Sequence, residues 1–171
     1  MAQSQIETLK TIFLTRLETI EHILEIAENH YGDEFESILQ LRLFEDMLPF
    51  GTQVVYTCNQ PRNFSLWCED LPTENLGPEV ETMVGLSTII YDTKTRINRI
   101  DVADEKLNEI KRIELGRGLY MEVSGSDYVN EFLMPNFYFH MVTAYDILRK
   151  EGVPLGKQNF MHFLLPKVKH D

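Results

Sequence analysis

The chain has 171 residues, of which 43% are apolar, and 16 basic against 27 acidic side chains give a formal net charge of −11. This length and apolar fraction suit one continuous core, so we expect a single domain over residues 1–171. The negative charge repels phosphate backbones and anionic lipid headgroups. We therefore expect neither nucleic-acid binding nor attachment to a membrane surface.

The cysteines and the N-terminus indicate the compartment. Cys58 and Cys68 have neither the spacing of a redox pair nor a second pair that would complete a zinc cluster, so we interpret them as reduced thiols. The first residues lack the basic start and apolar centre of a signal peptide, and no apolar run approaches the roughly 20 residues of a membrane span. We expect a cytoplasmic protein.

The first part of the chain predicts two helices. Over residues 3–29 apolar side chains recur at three- and four-residue steps, which places them on one helix face, and Gly32 can end that helix. Residues 35–43 are typical of a connection with a short helical turn. A second helix is predicted over residues 49–67, because proline at its start suits the first turn. Pro61 lies inside this helix and predicts a kink or an early end.

A third helix and a hairpin follow. The two prolines and one glycine of residues 70–78 predict a loop, and the periodicity of residues 79–100 predicts a helix. Residues 111–123 alternate apolar and polar side chains around Gly116-Arg117-Gly118. This pattern predicts a β-hairpin whose glycines serve the turn, and it does not favour a phosphate-binding loop.

The last helix is predicted to begin after the capping residues 124–127 and to run to Lys150, with Pro135 inside it. Beyond Pro154 the periodicity is lost. Three apolar side chains of that region are expected to dock the tail onto the helices, namely Phe160, Phe163 and Leu164. The residues therefore predict a mostly helical bundle, with its helices roughly antiparallel and one small hairpin before the last helix.

One stretch of the last helix combines a polar pair with aromatic neighbours. Asn136 and His140 lie four residues apart and share a helical face, and Pro135 just before them can free a backbone carbonyl. Two interpretations stay open, a hydrogen-bonded Asn and His in an aromatic core layer and a functional site. The residues alone favour the first.

A second polar set surrounds the start of the second helix. Asp46 precedes Pro49 by three residues, and helix capping is an alternative to a chemical role for it. Arg42 and Gln53 either line the same cavity or lie at the surface, and the pattern does not distinguish the two. Aromatic side chains of the last helix, Phe137 and Tyr145 among them, are expected beside such a pocket.

Two segments carry a family resemblance. The last helix and its continuation, Leu133-Met134-Pro135-Asn136-Phe137-Tyr138-Phe139-His140 through Arg149 to Gly152-Val153-Pro154-Leu155-Gly156-Lys157, resemble an uncharacterised bacterial branch of the DinB-like superfamily. The segment Leu43-Phe44-Glu45-Asp46-Met47-Leu48-Pro49 resembles the second signature of that branch. The resemblance covers nearly the whole chain. It implies an all-α four-helix bundle in up-down-down-up order with one long crossover, and members that pair as homodimers.

The resemblance also implies a metal site. In the wider superfamily three histidines hold a divalent metal, one from the second helix and two at i and i+4 on the last helix, and some members use the metal to activate a small thiol. When the last helix is aligned with the family through the segment from Arg149 to Pro154, Asn136 falls on the first of the two paired histidine positions and His140 on the second. Asp46 is the candidate for the histidine position of the second helix. A neutral amide is a poor ligand, so this set would hold Zn, Ni or Mn weakly, and the metal is expected to be weakly bound or absent.

Three functions remain from the sequence. The first is a divalent-metal-dependent enzyme of thiol-transferase or hydrolase type with a degenerate metal site. The second is a metal-free bundle that binds a small molecule or a partner without catalysis. The third is a purely structural homodimer.

Overall fold

The structure is a computed structural model that describes residues 4–169, and most of these residues are helical. The predicted start of the first helix at residue 3 lies outside them. The longer helices are α1 (Gln5–Tyr31), α2 (Phe50–Cys68), α3 (Met83–Asn98) and α5 (Met134–Lys150). The smaller elements are 3-10 segments at Gly32–Gln40, Asp104–Asn108 and His162–Lys167, strands β1 (Ile110–Gly116) and β2 (Leu119–Ser124), the short helices α4 (Gly125–Asp127) and α6 (Lys157–Phe160), and a π-helix at Tyr128–Leu133.

Helix α2 is the central element of the core. It packs against both α3 and α5, while α1 packs against α3, and 15 of the 19 residues of α2 are buried. The ring of Phe13 in α1 lies 5.6 Å from that of Phe64 in α2 and 5.2 Å from that of Phe137 in α5. The buried apolar side chains form one continuous cluster, as the composition predicts.

Helix α2 does not end at Pro61, so the predicted early end is wrong. An interior proline costs about 3 kcal/mol because one backbone hydrogen bond is lost. The two turns beyond it bury Phe64 and Trp67, and full burial of one large apolar side chain contributes about 1.5–3 kcal/mol. Tertiary packing of these side chains therefore outweighs the local preference against the proline.

The crossover, residues 69–82, is longer than the sequence predicts. Helix α3 begins only at Met83, because the Thr82 hydroxyl accepts a hydrogen bond from Gly85 N at 3.0 Å and caps the helix there. The four residues before Met83 were predicted to be helical and are not. Earlier in the chain Gly32 ends α1 with φ +53°, as predicted.

The hairpin is confirmed. Strand β1 pairs with β2 in antiparallel register, with Ile113 opposite Met121, and the turn has positive φ at Gly116, Arg117 and Gly118. The chain then passes through Gly125, whose N–H donates to Glu109 O at 2.8 Å. A Cβ atom at Gly125 would lie 2.3 Å from Trp67 Cη2, so a side chain has no room there.

The last helix begins as predicted and is irregular near its proline. Ser124 caps it by accepting from Asp127 N at 3.0 Å. Between Ser124 and Pro135 the chain forms the π-helix, in which Met134 N–H reaches Val129 O five residues back. A π turn just before a proline is a local widening of the helix, and such turns are frequent at functional sites.

Both ends of the described chain are tied to the helices. The Asp104 carboxylate accepts from Ser4 Oγ at 2.6 Å and from the backbone N–H groups of Ile6 and Gln5 at 2.9 Å each, which lowers the pKa of Asp104. In the tail, the Phe160 ring lies 5.6 Å from that of Tyr145, as the docking prediction requires.

The tail also contacts α1, where the Arg16 guanidinium lies 3.6 Å from the centroid of the Phe163 ring and the His162 ring stacks on that of His22 at 4.0 Å. Leu164, the third apolar residue predicted to dock, is 38% exposed. No helix within residues 4–169 combines the length and the apolar character needed to cross a bilayer.

Candidate functional site

The candidate site lies where α2 and α5 pack side by side. Gln53 is in the first turn of α2 and His140 is in the middle of α5, and the Gln53 Oε1 and His140 Nδ1 atoms are 2.8 Å apart. The Tyr56 ring stands edge-on to the imidazole with centroids 5.2 Å apart. We call Gln53, Tyr56, Asn136 and His140 the α2–α5 polar cluster.

The orientation of Gln53 fixes the tautomer of His140. Gln53 is 2% exposed, and its Nε2 donates to the Leu48 carbonyl at 3.1 Å, so its oxygen must be the atom that faces the imidazole. An amide oxygen only accepts, and therefore His140 Nδ1 carries the proton. The other ring nitrogen, Nε2, is left as an acceptor, and it has no hydrogen-bond partner among the residues described.

Burial lowers the pKa of His140 from its ordinary value of 6.5. The imidazole is therefore neutral at pH 7. The ring of Phe139, a side chain that is 59% exposed, lies 5.2 Å from the imidazole centroid and adds an apolar surface beside the site. The arrangement is a neutral, oriented imidazole between aromatic rings.

Asn136 lies one helical turn before His140, and its amide is committed to its own helix. Its Nδ2 donates to the Phe132 carbonyl at 2.7 Å, at the π-helix that precedes Pro135. The sequence predicted a carbonyl released by this proline, which would be that of Glu131 or Asn130, whereas Asn136 pairs with the nearby carbonyl of Phe132. Asn136 thus supports the irregular turn in addition to sharing a face with His140.

Asp46 is exposed in the turn between the first 3-10 segment and α2. The N-cap residue of α2 is Pro49 and no side chain caps the helix, so the predicted capping role of Asp46 is wrong. The side chain of α2 that reaches His140 is that of Gln53. The sequence predicted Gln53 only as a possible pocket residue, and the available signal was a polar amide directly before Val54 and Val55.

The other residues predicted to line the pocket are dispersed. Arg42 borders a depression of about 400 Å³ next to Leu48 and the crossover. Tyr145 borders one of about 200 Å³ beside Phe160 in the tail. Phe137 is fully buried in the core against Phe13. Of the four predicted pocket residues, Arg42, Gln53, Phe137 and Tyr145, the structure brings only Gln53 together with His140.

Comparison with known proteins identifies the family. The family model described as Domain of unknown function (DUF1993) matches residues 7–161. The chain belongs to this family. The DUF1993 chain is also similar to a solved structure, a DinB family member protein from Shewanella denitrificans, with 25% identity, a TM-score of 0.76, and coverage of 89% of this chain and 88% of that one. No curated protein matches the chain. The DinB-like resemblance is thereby confirmed.

The divalent metal that the DinB-like resemblance implies does not fit the donor atoms of this DUF1993 protein. One imidazole nitrogen is available, whereas the amide oxygen of Gln53 already accepts from the same ring and the Asn136 amide donates to a carbonyl. Neutral amides are weak ligands for zinc and related ions. Within residues 4–169 no three side chains of the His, Cys, Asp or Glu types group closely enough to hold an ion.

Proposed function

We propose that this DUF1993 protein is a metal-free, DinB-like binding protein whose α2–α5 polar cluster takes a small ligand with a hydrogen-bond donor and an apolar body. The observation that carries the proposal is the 2.8 Å contact between Gln53 Oε1 and His140 Nδ1. Gln53 is the side chain of the second helix that lies beside the imidazole, whereas the family resemblance assigns the ligand position of that helix to Asp46. An amide there orients His140 and does not bind a metal strongly.

The chemistry of the cluster suits recognition of a neutral donor. His140 is uncharged because burial lowers its pKa, and its Nε2 is an acceptor. The rings of Tyr56 and Phe139, each 5.2 Å from the imidazole, supply apolar contact next to this acceptor. A hydroxyl or amide N–H of a ligand would pair with Nε2 while its apolar part contacts the rings.

A second candidate is the divalent-metal-dependent enzyme of thiol-transferase or hydrolase type, with Asp46, Asn136 and His140 as ligands. The observation that favours it is the same His140 Nε2, which has no hydrogen-bond partner within the described part of the chain. A histidine ligand held by a hydrogen bond at its other nitrogen is a usual arrangement in metal sites. The two candidates therefore differ in what meets Nε2, a ligand donor or a metal ion.

Elemental analysis of protein purified without an affinity tag distinguishes them. We expect Zn, Ni and Mn well below one equivalent, and no uptake when the ions are added back. His30→Ala is the matched control for His140→Ala because His30 is an exposed histidine at the end of α1. Close to one equivalent of metal in the parent and in His30→Ala, lost in His140→Ala, would overturn the proposal and support the enzyme.

A ligand titration tests the binding directly. Phenol carries a hydroxyl donor on an apolar ring, and we expect it to shift the His140 imidazole resonances in an NMR titration at millimolar concentration. His140→Phe should abolish the saturable response of the neighbouring amides, whereas His30→Ala should leave it unchanged. A response that survives in His140→Phe would contradict this use of the cluster.

We further propose that residues 1–171 form one domain, a four-helix bundle in up-down-down-up order built from α1, α2, α3 and α5. The contacts of α2 with α3 and α5, and the long crossover between α2 and α3, support this order. The family resemblance supports a homodimer, and the charge of −11 supports a protein that does not bind nucleic acid. The free thiols of Cys58 and Cys68 support a cytoplasmic location. Light scattering coupled to size exclusion would measure the oligomeric state.

A further inference from the structure

A cleft of about 270 Å³ lies away from the α2–α5 polar cluster, where α2, the crossover, β1 and the π-helix meet. Each element contributes polar or aromatic side chains to it, including Asn63, Thr73, Asn75, Lys111, Tyr128 and Phe132. Its volume is close to the lower end of the range for small-molecule sites, roughly 300 Å³. The cleft therefore suits a compact ligand.

Lys111 brings an unneutralised positive charge into this cleft. Side chains alternate along a strand, so Lys111 lies on the same face of β1 as Ile113, which is 7% exposed and packs toward the helices. Within residues 4–169 Lys111 forms no ion pair, and its Nζ contacts Thr73 Oγ1 at 3.4 Å. Burial, followed by the charge of Lys106, lowers the pKa of Lys111, as expected for an ammonium that lacks an anion.

The neighbouring lysine shows the contrast. Lys106 is also buried, but it pairs with both Asp70 and Glu109, and these partners raise its pKa despite its burial. Glu114 borders the cleft as well, yet its carboxylate pairs with Arg112 at 2.7 Å on the outer face of β1. The charge of Lys111 is thus left for a ligand in a protein that is acidic overall.

Tyr128 provides a second polar group without a partner. It is 2% exposed and lines the cleft, and its hydroxyl has no hydrogen-bond partner in the region that the structure describes. Its ring is stacked with that of Phe132 at 6.0 Å with an interplanar angle of 21°. This stacked pair forms the apolar side of the cleft, and the Lys111 Nζ lies over the Tyr128 ring at 5.5 Å from its centroid.

The amide of Asn75 completes the set of donors. Asn63 Nδ2 donates to Asn75 Oδ1 at 2.8 Å, and Asn63 Oδ1 accepts from Glu74 N at 3.1 Å. These two bonds fix which atom of Asn75 is its oxygen, and its Nδ2 has no acceptor among residues 4–169, in the cleft that Lys111 also lines. An ammonium and an amide N–H together match an anion better than a cation.

We infer that this cleft binds a small organic carboxylate with a planar apolar body. Its carboxylate would pair with the Lys111 ammonium and the Asn75 amide, while its body would lie against the rings of Tyr128 and Phe132. A planar carboxylate has two acceptor oxygens for these donors, and its charge supplies the counter-ion that Lys111 lacks. The inference does not depend on the proposed use of His140.

Benzoate is a suitable probe, because it joins a carboxylate to a flat ring. We expect saturable shifts of the β1, crossover and π-helix amides in an NMR titration, with a dissociation constant on the order of 1 mM. Benzamide, which has the same shape without the charge, should bind at least ten-fold more weakly. Inorganic phosphate should not saturate the same amides at equal concentration.

Two variants and a control make the test specific. Lys111→Met keeps the aliphatic stem and should weaken benzoate binding at least ten-fold, and Asn75→Ala, which removes the amide donor, should weaken it about three-fold. Lys94→Met should bind as the parent does, because Lys94 pairs with Glu21 on other helices. Equal binding of benzamide, or unchanged binding in Lys111→Met, would overturn the inference. Phosphate saturation without benzoate binding would overturn it equally.

Discussion

The bridge through Gln53 makes a strong prediction about stability. Gln53→Leu keeps a side chain of similar size but removes two hydrogen bonds, to the Leu48 carbonyl and from His140 Nδ1, each contributing about 1 kcal/mol. It also leaves the Nδ1 proton of the half-buried His140 without its partner, while the buried leucine offsets part of the loss. We expect the free energy of unfolding to fall by about 2 kcal/mol. The melting temperature should fall by roughly 4–8 °C for a chain of this size.

The control for this change is Gln60→Leu on the same helix. Gln60 is half-buried, and its Nε2 donates only to the Tyr56 carbonyl of its own helix at 3.1 Å. We expect this variant to stay within about 0.5 kcal/mol of the parent. Urea denaturation followed by circular dichroism measures both variants.

A double-mutant cycle isolates the pair. If Gln53 and His140 interact as described, Gln53→Leu combined with His140→Phe should lose about 1 kcal/mol less than the sum of the two single changes. Additive losses would refute the reasoning. So would equal losses in Gln53→Leu and Gln60→Leu, because they would show that any glutamine of this helix contributes as much.

Three further outcomes follow from single features of the fold. Gly125→Ala should lower the free energy of unfolding by about 2–3 kcal/mol, because the new Cβ would overlap the indole of Trp67. The control is Gly77→Ala, whose Cβ would meet no atom within 4 Å and which should be nearly neutral. A denaturant titration measures both variants. Asp104→Ala should lower the melting temperature, because the first turn of α1 loses its carboxylate partner. This difference from the parent should shrink as the pH falls below 3.8 and through the lowered pKa of Asp104, because the carboxylate of the parent then becomes protonated. In an NMR titration His140 should have a pKa below its ordinary value of 6.5. Because the pKa is depressed in the folded state, the stability that neutral His140 contributes is complete above pH 6.5 and is lost as the pH falls through the folded pKa. A measured pKa above 6.5 would contradict the burial argument.

Local patterns predicted most of the elements, because helix periodicity and turn chemistry are properties of neighbouring residues. The first helix, the hairpin around Arg117 and the capped start at Ser124 are confirmed within a few residues. Pro61 predicted a kink or an early end, and the early end does not occur because the cost of the proline is local whereas the burial that outweighs it comes from other helices.

The candidate site was harder to predict for the same reason. His140 and Asn136 were found because they share one helix, but their partner on α2 depends on how two helices pack, and sequence spacing does not encode that register. Asp46 matched the family signature yet lies in the preceding turn, while Gln53 is the residue that faces the imidazole. The cleft at Lys111 draws on four separate elements and gave no sequence signal at all.

The π-helix at Tyr128–Leu133 also sets the helical phase between the two regions of interest. A π turn holds one residue more than an α turn, and one residue corresponds to about 100° of rotation and 1.5 Å of rise. Tyr128 and Phe132 belong to the π-helix itself, and His140 lies beyond it in α5. Removing one residue here would leave a regular helix that turns the aromatic wall away from Lys111 or the imidazole away from Gln53. The irregular turn is thus the condition for both regions to coexist on one helix.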